Sequence, residues 1–406
     1  MIMAKMRQPI TYRFCIDALS AFLIVLLKET QALGYNSYGN LPECNLEDGM
    51  AAKTKITRII LVLMVFFAGV LLRAPRAASQ PAGIGKNFEE IVRLANKEGR
   101  VNVGTGLTLE EAPVVLKGFN QKYPKIRVEV TSVSGTARAE KLFNEVLAGV
   151  VEYDLYDVPA AMQGRFVKGG VVTGPLPWRK LLPNIGEHHI SPDGFFNASG
   201  FNLRIIGYNP SLVPANKIPK DWSDCLDPAW KGKIAVDVHP RFLSGLYKSW
   251  GEAKILEYAA QFKNNQPIWK NGQTEAVAQL AAGEFPVMCG AHYATIYSQL
   301  RTDPKAKLAM ALPKEVPVSL GEIMAIPKGA PHANAALLLA GWLSSPEGQK
   351  AYDGLGRGSP FVKDSEKWRL IQKWKSKTIF EGWDRADYEP GMIKKIAGVW
   401  GFPTGK

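Results

Sequence analysis

Apolar and polar residues follow two kinds of pattern from about residue 85 onward. Residues 126–133 alternate like a strand with one buried face, whereas residues 137–147 repeat apolar positions at helical spacing. The same reasoning predicts strands at 101–103, 153–158, 202–208, 234–238, 286–289, 308–312 and 318–326, and helices at 110–123, 242–262, 274–282, 333–343 and 346–355. Strands that alternate with helices of this length predict parallel sheets built from βαβ units.

This alternation occurs twice, and a chain of 406 residues is long enough for two domains. We therefore predict an α/β protein of two lobes, each a mixed, mostly parallel sheet flanked by helices, joined by crossover strands. The pattern of residues 202–208 predicts one strand that crosses between the lobes. The first lobe is assigned to residues 86–200 with a returning segment at about 316–355, and the second to residues 201–315 with a tail at about 356–406.

The N-terminal region has the features of a secretory signal peptide. Basic residues within 53–58 precede an uncharged apolar run at 59–72, and small residues follow at 77–79. The run of 14 residues is short for a membrane-spanning helix. We therefore predict a signal peptide at residues 50–79 and a secreted mature protein.

Met50 stands directly before the basic segment, where a signal peptide should begin. Residues 1–49 are therefore interpreted as an over-extended, unstructured start. Arg73 and Arg76 lie near the cleavage region and disfavour cleavage, so an uncleaved membrane anchor is the alternative.

Composition excludes some classes of protein. At 46% hydrophobic and 21% charged residues, the chain is globular rather than disordered. The net charge is +13, and residues 1–79 hold nine Lys/Arg against five Asp/Glu, so +4 belongs there and +9 to the rest. That surplus suits an anionic ligand, an acidic membrane surface or an ordinary solvated surface. The sequence has no basic run interleaved with aromatic residues, so no nucleic-acid partner is expected.

The cysteines leave two alternatives open. Cys15 and Cys44 belong to the leader, whereas Cys225 and Cys289 belong to the predicted second lobe. An oxidising compartment permits a bridge between the latter two, and two buried free thiols fit the sequence equally well. Their spacing suits no metal-binding motif.

The stretch from Tyr208 to Arg241 contains an ordered series of turn and strand signals. Y-N-x-x-L-V begins at Tyr208, W-x-D at Trp222 and D-P-x-W-K-G-K-I-A at Asp227. A later segment, V-P-V-S-L-G-E-I-M-A, leads into a helix and the motif S-S-P-E-G-Q. This combination resembles extracellular solute-binding proteins, in the branch that includes periplasmic ferric-ion-binding proteins, over roughly residues 86–360.

The resemblance implies a periplasmic-binding-protein type 2 fold and a protein that is not an enzyme. Such proteins close two lobes around a small ligand and deliver it to the permease and ATPase of an ABC importer. Together with the signal peptide, the resemblance also implies a periplasmic location, and it implies a monomer without a cofactor. The expected ligand is Fe(III) with an anion, or a phosphonate, phosphate-ester or carboxylate solute. The alternatives are a binding module that feeds a sensor kinase, or an enzyme on the same fold.

The sequence contains no constellation typical of an enzyme. Its five histidines show no zinc-ligand spacing, and neither a G-x-S-x-G elbow nor a phosphate-binding G-x-x-x-x-G-K-[ST] loop occurs. His188 and His189 are adjacent in a predicted loop, where such a pair is more often solvated than bound to a metal.

Ligand clefts in two-lobed α/β proteins form beyond the carboxyl ends of strands, where helix N-termini point inward. Three predicted strand ends offer hydroxyls, backbone N–H groups or a cation to an anion. The candidate ligand-binding residues there are Thr105, Thr108, Ser134, Gly135, Thr136, His239 and Arg241. Only Arg241 supplies a bidentate charged fork. The alternatives are ordinary helix capping by the hydroxyls and a surface position for the arginine.

The segment after strand 286–289 carries the candidate metal ligands. In ferric-ion-binding relatives two adjacent tyrosines stand there, and in this chain His292 replaces the first while Tyr293 matches the second. Both are assigned to the ligand site, and to the metal only if the ligand is ferric iron. The alternative for both residues is packing at the start of a helix.

The resemblance places other parts of the iron site at altered residues. Thr108 and Pro159 stand where the relatives have a histidine and a glutamate. The anion that helps to hold iron corresponds to the segment 239–241 and to Asn271, which completes the candidate site. Arg204 flanks the predicted crossover strand. Three roles are open for it: part of a hinge, part of the cleft lining, or stabilisation of the strand.

Overall fold

The computed structural model describes residues 83–402, all of which belong to the compact unit Ala77–Lys406. The predicted signal peptide and the segment before it, with Cys15 and Cys44, lie outside the described residues. Within the described part, no helix has the length and apolar character needed to cross a membrane.

Strands and helices alternate through the described chain, which confirms the predicted α/β class. The strands are β1 Arg100–Thr105, β2 Arg127–Ser132, β3 Leu155–Asp157, β4 Asn197–Ala198, β5 Phe201–Tyr208, β6 Ile234–Asp237, β7 Ile268–Lys270, β8 Val287–His292, β9 Ala309–Ala311, β10 Glu315–Leu320, β11 Ile323–Ala325 and β12 Lys377–Phe380. The helices are α1 Phe88–Glu98, α2 Glu111–Lys122, α3 Thr136–Leu147, α4 Gln163–Lys168, α5 Trp178–Leu181, α6 Arg241–Ser244, α7 Tyr247–Asn264, α8 Gln273–Ala282, α9 Tyr293–Thr302, α10 Ala333–Leu343, α11 Pro346–Asp353, α12 Glu366–Trp374 and α13 Arg385–Trp400.

The strands form two sheets, one for each lobe. The first has the order β2-β1-β3-β11-β4, with β1 parallel to both β2 and β3. The second has the order β12-β10-β5-β8-β6-β7, and β9 pairs with β5 beside this path. In the second sheet β6 is parallel to β7 and β8, whereas β5 is antiparallel to β8 and β10. In the first sheet β11 is antiparallel to β3 and β4, so each sheet is mixed, as predicted, with antiparallel pairs as well as the parallel ones that the sequence led us to expect.

The chain passes between the two sheets at two adjacent places, between β4 and β5 and between β10 and β11. The start of β5 pairs with β10, and the chain after β10 enters the first sheet as β11. At this crossing the Gly321 N–H donates to the Gly200 carbonyl at 2.7 Å, and a Cβ on Gly321 would lie 2.9 Å from the carbonyl carbon of Gly200. Glycine is required because the two backbones approach so closely. The crossing follows Leu320, later than the boundary predicted at about residue 316.

Helix α10 forms the centre of the first lobe's core. All of its residues are buried, which explains why its sequence is apolar on every face. It packs on α1, where Ile91 and Ala95 are fully buried. The next helix, α11, begins at the S-P-E-G-Q motif, and the Ser345 hydroxyl accepts the Gly348 N–H at 3.3 Å. Ser345 is thus the N-cap of this returning helix.

Cys225 and Cys289 form a disulfide in the second lobe. Both are fully buried, and the bridge ties a turn before β6 to the middle of β8 across a sequence separation of 64 residues. Of the two alternatives that the sequence left open, the structure contains the bridge.

Two predicted elements are interrupted in the structure. The predicted helix at 242–262 is wrong as one element, because α6 ends at Ser244 and α7 begins at Tyr247. Within α7, Gly251 has φ 70° and ψ 168°, so the helix is also interrupted there. The predicted strand at 318–326 is β10 and β11, separated at Gly321. A glycine inside each pattern marks the break, since glycine adopts conformations that end regular structure.

Candidate functional site

Arg204 and Arg241 are neighbouring charges in the second lobe. Arg204 lies within β5, opposite His292 of β8, and Arg241 is the first residue of α6, just after β6. Among residues 83–402, neither guanidinium group forms an ion pair or a side-chain hydrogen bond. Like charges at short range repel each other, and an anion bound by both groups would remove that repulsion.

The surroundings of Arg204 disfavour the charged form of its guanidinium group. Burial, and then the charge of Arg241, lower the pKa of Arg204 to about 10. The carboxylates of Glu381, Asp237 and Glu389 act in the opposite direction without contacting the guanidinium. Arg204 is therefore still charged at neutral pH. A partly buried charge without a hydrogen-bonded partner favours a counter-ion.

A β-bulge in β8 brings His292 opposite Arg204. Ile205 pairs with Ala291 and Ile206 with Cys289, so Gly290 is the extra residue between them. Gly290 has φ 74°, and a Cβ there would lie 2.5 Å from Cδ1 of the buried Phe242. Only glycine fits this conformation and this contact.

His292 is part-buried and held neutral. Burial lowers its pKa well below the ordinary value. Surrounding positive charges lower it further, namely those of Arg204, Lys367, Arg357 and Arg241. The backbone N–H of His292 donates to Gln273 Oε1 at 2.9 Å, and its ring Nδ1 lies 3.3 Å from Thr295 Oγ1. The imidazole thus adds a hydrogen-bonding group to the two arginines without adding charge.

Asp237, the last residue of β6, has both carboxylate oxygens engaged by groups other than arginine. Its Oδ1 accepts the His239 backbone N–H at 2.9 Å, and the His239 ring Nδ1 lies 3.1 Å from the same oxygen. Its Oδ2 accepts the side-chain Nε2 of Gln273 at 2.9 Å. The predicted ligand residue His239 therefore contacts Asp237, while its ring stays largely exposed.

The candidate threonines of the first lobe form local hydrogen bonds. Thr105 is buried, and its hydroxyl accepts the Leu107 N–H at 3.3 Å. Thr108 accepts the Glu111 N–H at 3.3 Å and donates its own N–H to Glu111 Oε2 at 3.1 Å. This reciprocal pair is a capping box at the start of α2, which is the alternative that the sequence offered for Thr108.

The other candidates lie at exposed helix starts. Ser134 and Gly135 precede α3, which begins at Thr136 and has no side-chain cap, and Gly135 has φ 90°. Asn271 is exposed just before α8. Their assignment to a ligand stays a prediction.

Asp157 adds a carboxylate to the strand ends of the first lobe. A Cβ on Gly106 would lie 3.8 Å from Ser134 Cβ and 3.9 Å from Asp157 Oδ2, so these strand ends adjoin. Burial, and then the charge of Glu322, raise the pKa of Asp157 to about 7. The strand ends of the first lobe therefore carry an acidic group, whereas the second lobe carries the two arginines.

Tyr293 is part of the core rather than an exposed phenol. It is 1% exposed, and its hydroxyl donates to Glu366 Oε1 at 2.9 Å. Burial, and then the charge of Glu366, raise the pKa of Tyr293 far above its usual range. The phenol is thus held protonated, whereas a metal ligand must be deprotonated. Among the described residues, no three His, Cys, Asp or Glu side chains gather to hold a metal ion.

Residues 115–382 match the family of bacterial extracellular solute-binding proteins. This match covers more than half of the chain. The protein belongs to that family. No curated protein matches the sequence. The family is one of solute-binding proteins.

Solved structures of this fold include ferric-ion-binding proteins. The chain is similar to iron-bound HitA from Pseudomonas aeruginosa, at 16% identity and a TM-score of 0.58, over 74% of this chain and 99% of that one. It is similar to FutA from Trichodesmium in complex with iron and citrate, at 18% identity and a TM-score of 0.58, over 74% and 99%. It is also similar to ferric iron-binding protein A of Mannheimia haemolytica in an open conformation, at 17% identity and a TM-score of 0.58, over 74% and 98%. At these identities the likeness shows the fold.

Two residues of the solute-binding protein's site carry weak or no signals in the sequence. Arg204 interrupts the apolar strand F-N-L-R-I-I-G-Y. A charged residue there indicates a special role, but the sequence does not indicate which role. Gln273 is an ordinary first residue of a helix, and only its contacts reveal what it does. The interpretation of His189 as solvated is wrong: the ring is fully buried, and Nδ1 lies 2.6 Å from the Ala198 carbonyl.

Proposed function

We propose that this protein is the substrate-binding component of an ABC importer and captures a small anionic solute between its lobes. The family supports a solute-binding role, and delivery to a permease and ATPase follows from that role. The solute class is a phosphonate, a phosphate ester or a carboxylate. The protein acts without a cofactor.

The arginine pair carries this proposal. Arg204 and Arg241 are charged and without an ion-pair partner among the described residues, and neutral His292 stands beside Arg204. Guanidinium groups match carboxylate and phosphate oxygens bidentately, which gives both affinity and orientation. Arg204 also lies in β5 shortly after Gly200, where the chain passes between the sheets, so an anion bound to it would sit near that crossing.

The similar solved structures include ferric-ion-binding proteins, but the residues of this chain support Fe(III) as its ligand less well than they support an anion. Tyr293 donates to Glu366 and is buried, so binding Fe(III) would require breaking that hydrogen bond and deprotonating the phenol. Thr108 is occupied as a helix cap. We therefore propose an anionic solute without a bound metal.

A periplasmic location fits the disulfide as well as the predicted signal peptide. Cys225 and Cys289 are bridged and buried, and such bridges persist in oxidising compartments.

A thermal-shift screen of the chain from Gln80 onward tests the proposed solute class. The panel contains methylphosphonate, glycerol 3-phosphate, succinate, ferric citrate, glucose and putrescine. A ligand at 100 times its dissociation constant adds about 2.7 kcal/mol to stability, which should raise the melting temperature by several degrees. We expect one or more metal-free anions to do so and the neutral and cationic solutes to have no effect.

Two results would contradict the proposal. A shift with glucose or putrescine alone would mean that the arginines do not select the ligand. A visible tyrosinate band with ferric citrate that disappears in Tyr293→Phe would establish a tyrosine-bound metal instead.

A further inference from the structure

Asp237 presents a difficulty for an anion site, because it is a carboxylate near Arg204 and close in sequence to Arg241. It ends β6, four positions before Arg241, and its charge acts on Arg204. A carboxylate and a guanidinium readily form a bidentate ion pair, which is among the strongest polar contacts in proteins. Such a pair would neutralise an arginine and occupy the donors that a ligand needs.

In the structure both oxygens of Asp237 instead accept hydrogen bonds from groups other than arginine, which orient the carboxylate. Oδ1 is bound within the turn that follows β6, by the His239 backbone N–H. Oδ2 accepts Nε2 of Gln273 at 2.9 Å, from the first residue of α8. The first contact is local to the chain, whereas the second depends on a side chain from another element.

Gln273 can make these contacts in only one orientation of its amide. Its Oε1 accepts the backbone N–H of His292 at 2.9 Å, and a backbone N–H can only donate. Its Nε2 must therefore face Asp237, whose carboxylate can only accept. The His292 N–H thus fixes the amide that holds Asp237.

We propose that Gln273 is a positioning residue that holds the Asp237 carboxylate off Arg204 and Arg241 and thereby keeps the arginine pair available to an anionic ligand. The inference rests on the proposed function, since it assigns a further residue to the same site. Gln273 itself contacts no ligand in this account. Without it, Asp237 turns to a guanidinium group and competes with the anion.

A purely structural role for Gln273 has different consequences. In that case Gln273 only fastens the start of α8 to the ends of β6 and β8, and its loss distorts the site whatever residue stands at position 237. The two roles are therefore separated by removing the charge of Asp237 in the same protein.

The test is a double-mutant cycle with Gln273→Leu, Asp237→Asn and the combined variant. Titration calorimetry with methylphosphonate, glycerol 3-phosphate and succinate measures the affinity of each. Gln273→Leu should weaken anion binding about 10- to 100-fold, the range expected for a new charge-assisted pair that competes with the ligand. Asp237→Asn has one acceptor oxygen for the two donors that Asp237 now satisfies, so it serves as the uncharged reference of the cycle, and the combined variant should bind within about threefold of it or more tightly.

Recovery of affinity in the combined variant supports the proposal, because an uncharged amide at position 237 cannot neutralise an arginine. A combined variant as weak as Gln273→Leu overturns it, and so does a combined variant that no longer folds. If Gln273→Leu alone fails to fold, Gln273→Asn, which is one methylene shorter, takes its place in the cycle. If no probe binds the wild type, the proposed function itself fails.

A ligand-free crystal structure of Gln273→Leu gives a readout that does not depend on the proposed function. We expect Asp237 within 4 Å of a nitrogen of Arg204 or Arg241, the usual limit for an ion pair. An Asp237 carboxylate that stays in its present position would overturn the inference even where the proposed function holds.

Discussion

Replacing Gly290 by alanine tests whether the bulge in β8 builds the site. Gly290 has φ 74°, a conformation that side chains with a Cβ adopt at a cost. The added Cβ would lie 2.5 Å from Cδ1 and 2.7 Å from Cγ of Phe242. Phe242 is 2% exposed, so its ring cannot swing into solvent to make room.

The expected loss follows from these two effects. The left-handed conformation costs about 1–2 kcal/mol for a residue other than glycine. Overpacking a well-filled core costs about 1–3 kcal/mol more. We therefore expect Gly290→Ala to lower the free energy of unfolding by about 3 kcal/mol. Because the bulge sets the place of His292 opposite Arg204, the variant should also bind the anionic ligand more weakly.

Urea denaturation followed by tryptophan fluorescence measures the loss, and Gly391→Ala is the matched control. Gly391 is exposed in α13, with open space where its Cβ would be. There alanine should stabilise the helix by about 0.5–1 kcal/mol, opposite in sign to Gly290→Ala. A Gly290→Ala protein as stable as the wild type, with unchanged affinity, would refute the role of the bulge.

Two further predictions concern stability. Replacing both Cys225 and Cys289 by serine opens a loop of 64 residues and should cost about 4 kcal/mol, measured by urea denaturation; an unchanged midpoint would show that the bridge does not constrain the unfolded chain. The pKa of Asp157 is about 7 in the folded protein, against an ordinary value of 3.8. The stability that its protonated carboxyl contributes should therefore be fully present below about pH 4 and lost as the pH rises through 7. Asp157→Asn, which keeps the acceptor for the Ile323 N–H, should therefore flatten the stability profile between pH 4 and 7, and an unaltered profile would contradict this.

The sequence predicted those parts of the fold that depend on local patterns. The apolar run of α10 and the alternation of β2 were recognisable because burial imposes a periodicity on neighbouring residues. The breaks at Gly251 and Gly321 were missed because an isolated glycine is tolerated within a helix or strand pattern. Only the surrounding structure decides whether such a glycine ends the element.

The site was harder to predict because its chemistry depends on distant parts of the chain. Arg241 was recognisable at a strand end, whereas its companion Arg204 comes from the crossover strand. The raised pKa of Tyr293 depends on its burial and on Glu366, which lies 73 residues further along the chain. Gln273 gains its role only because α8 begins between the ends of two strands. Such contacts leave no spacing or periodicity in the sequence.

The central claim is that Arg204 and Arg241 together bind the anionic solute. The most direct test is to measure how tightly the strongest ligand from the screen binds when both arginines are replaced. Titration calorimetry should compare the wild type, Arg204→Gln with Arg241→Gln, and the control Arg127→Gln, whose exposed side chain pairs with Glu129 in the first lobe. Losing two charge-assisted contacts of about 1.5–3 kcal/mol each should weaken binding at least 100-fold, and the control should bind like the wild type. An affinity within threefold of the wild type in the double arginine variant would contradict the account.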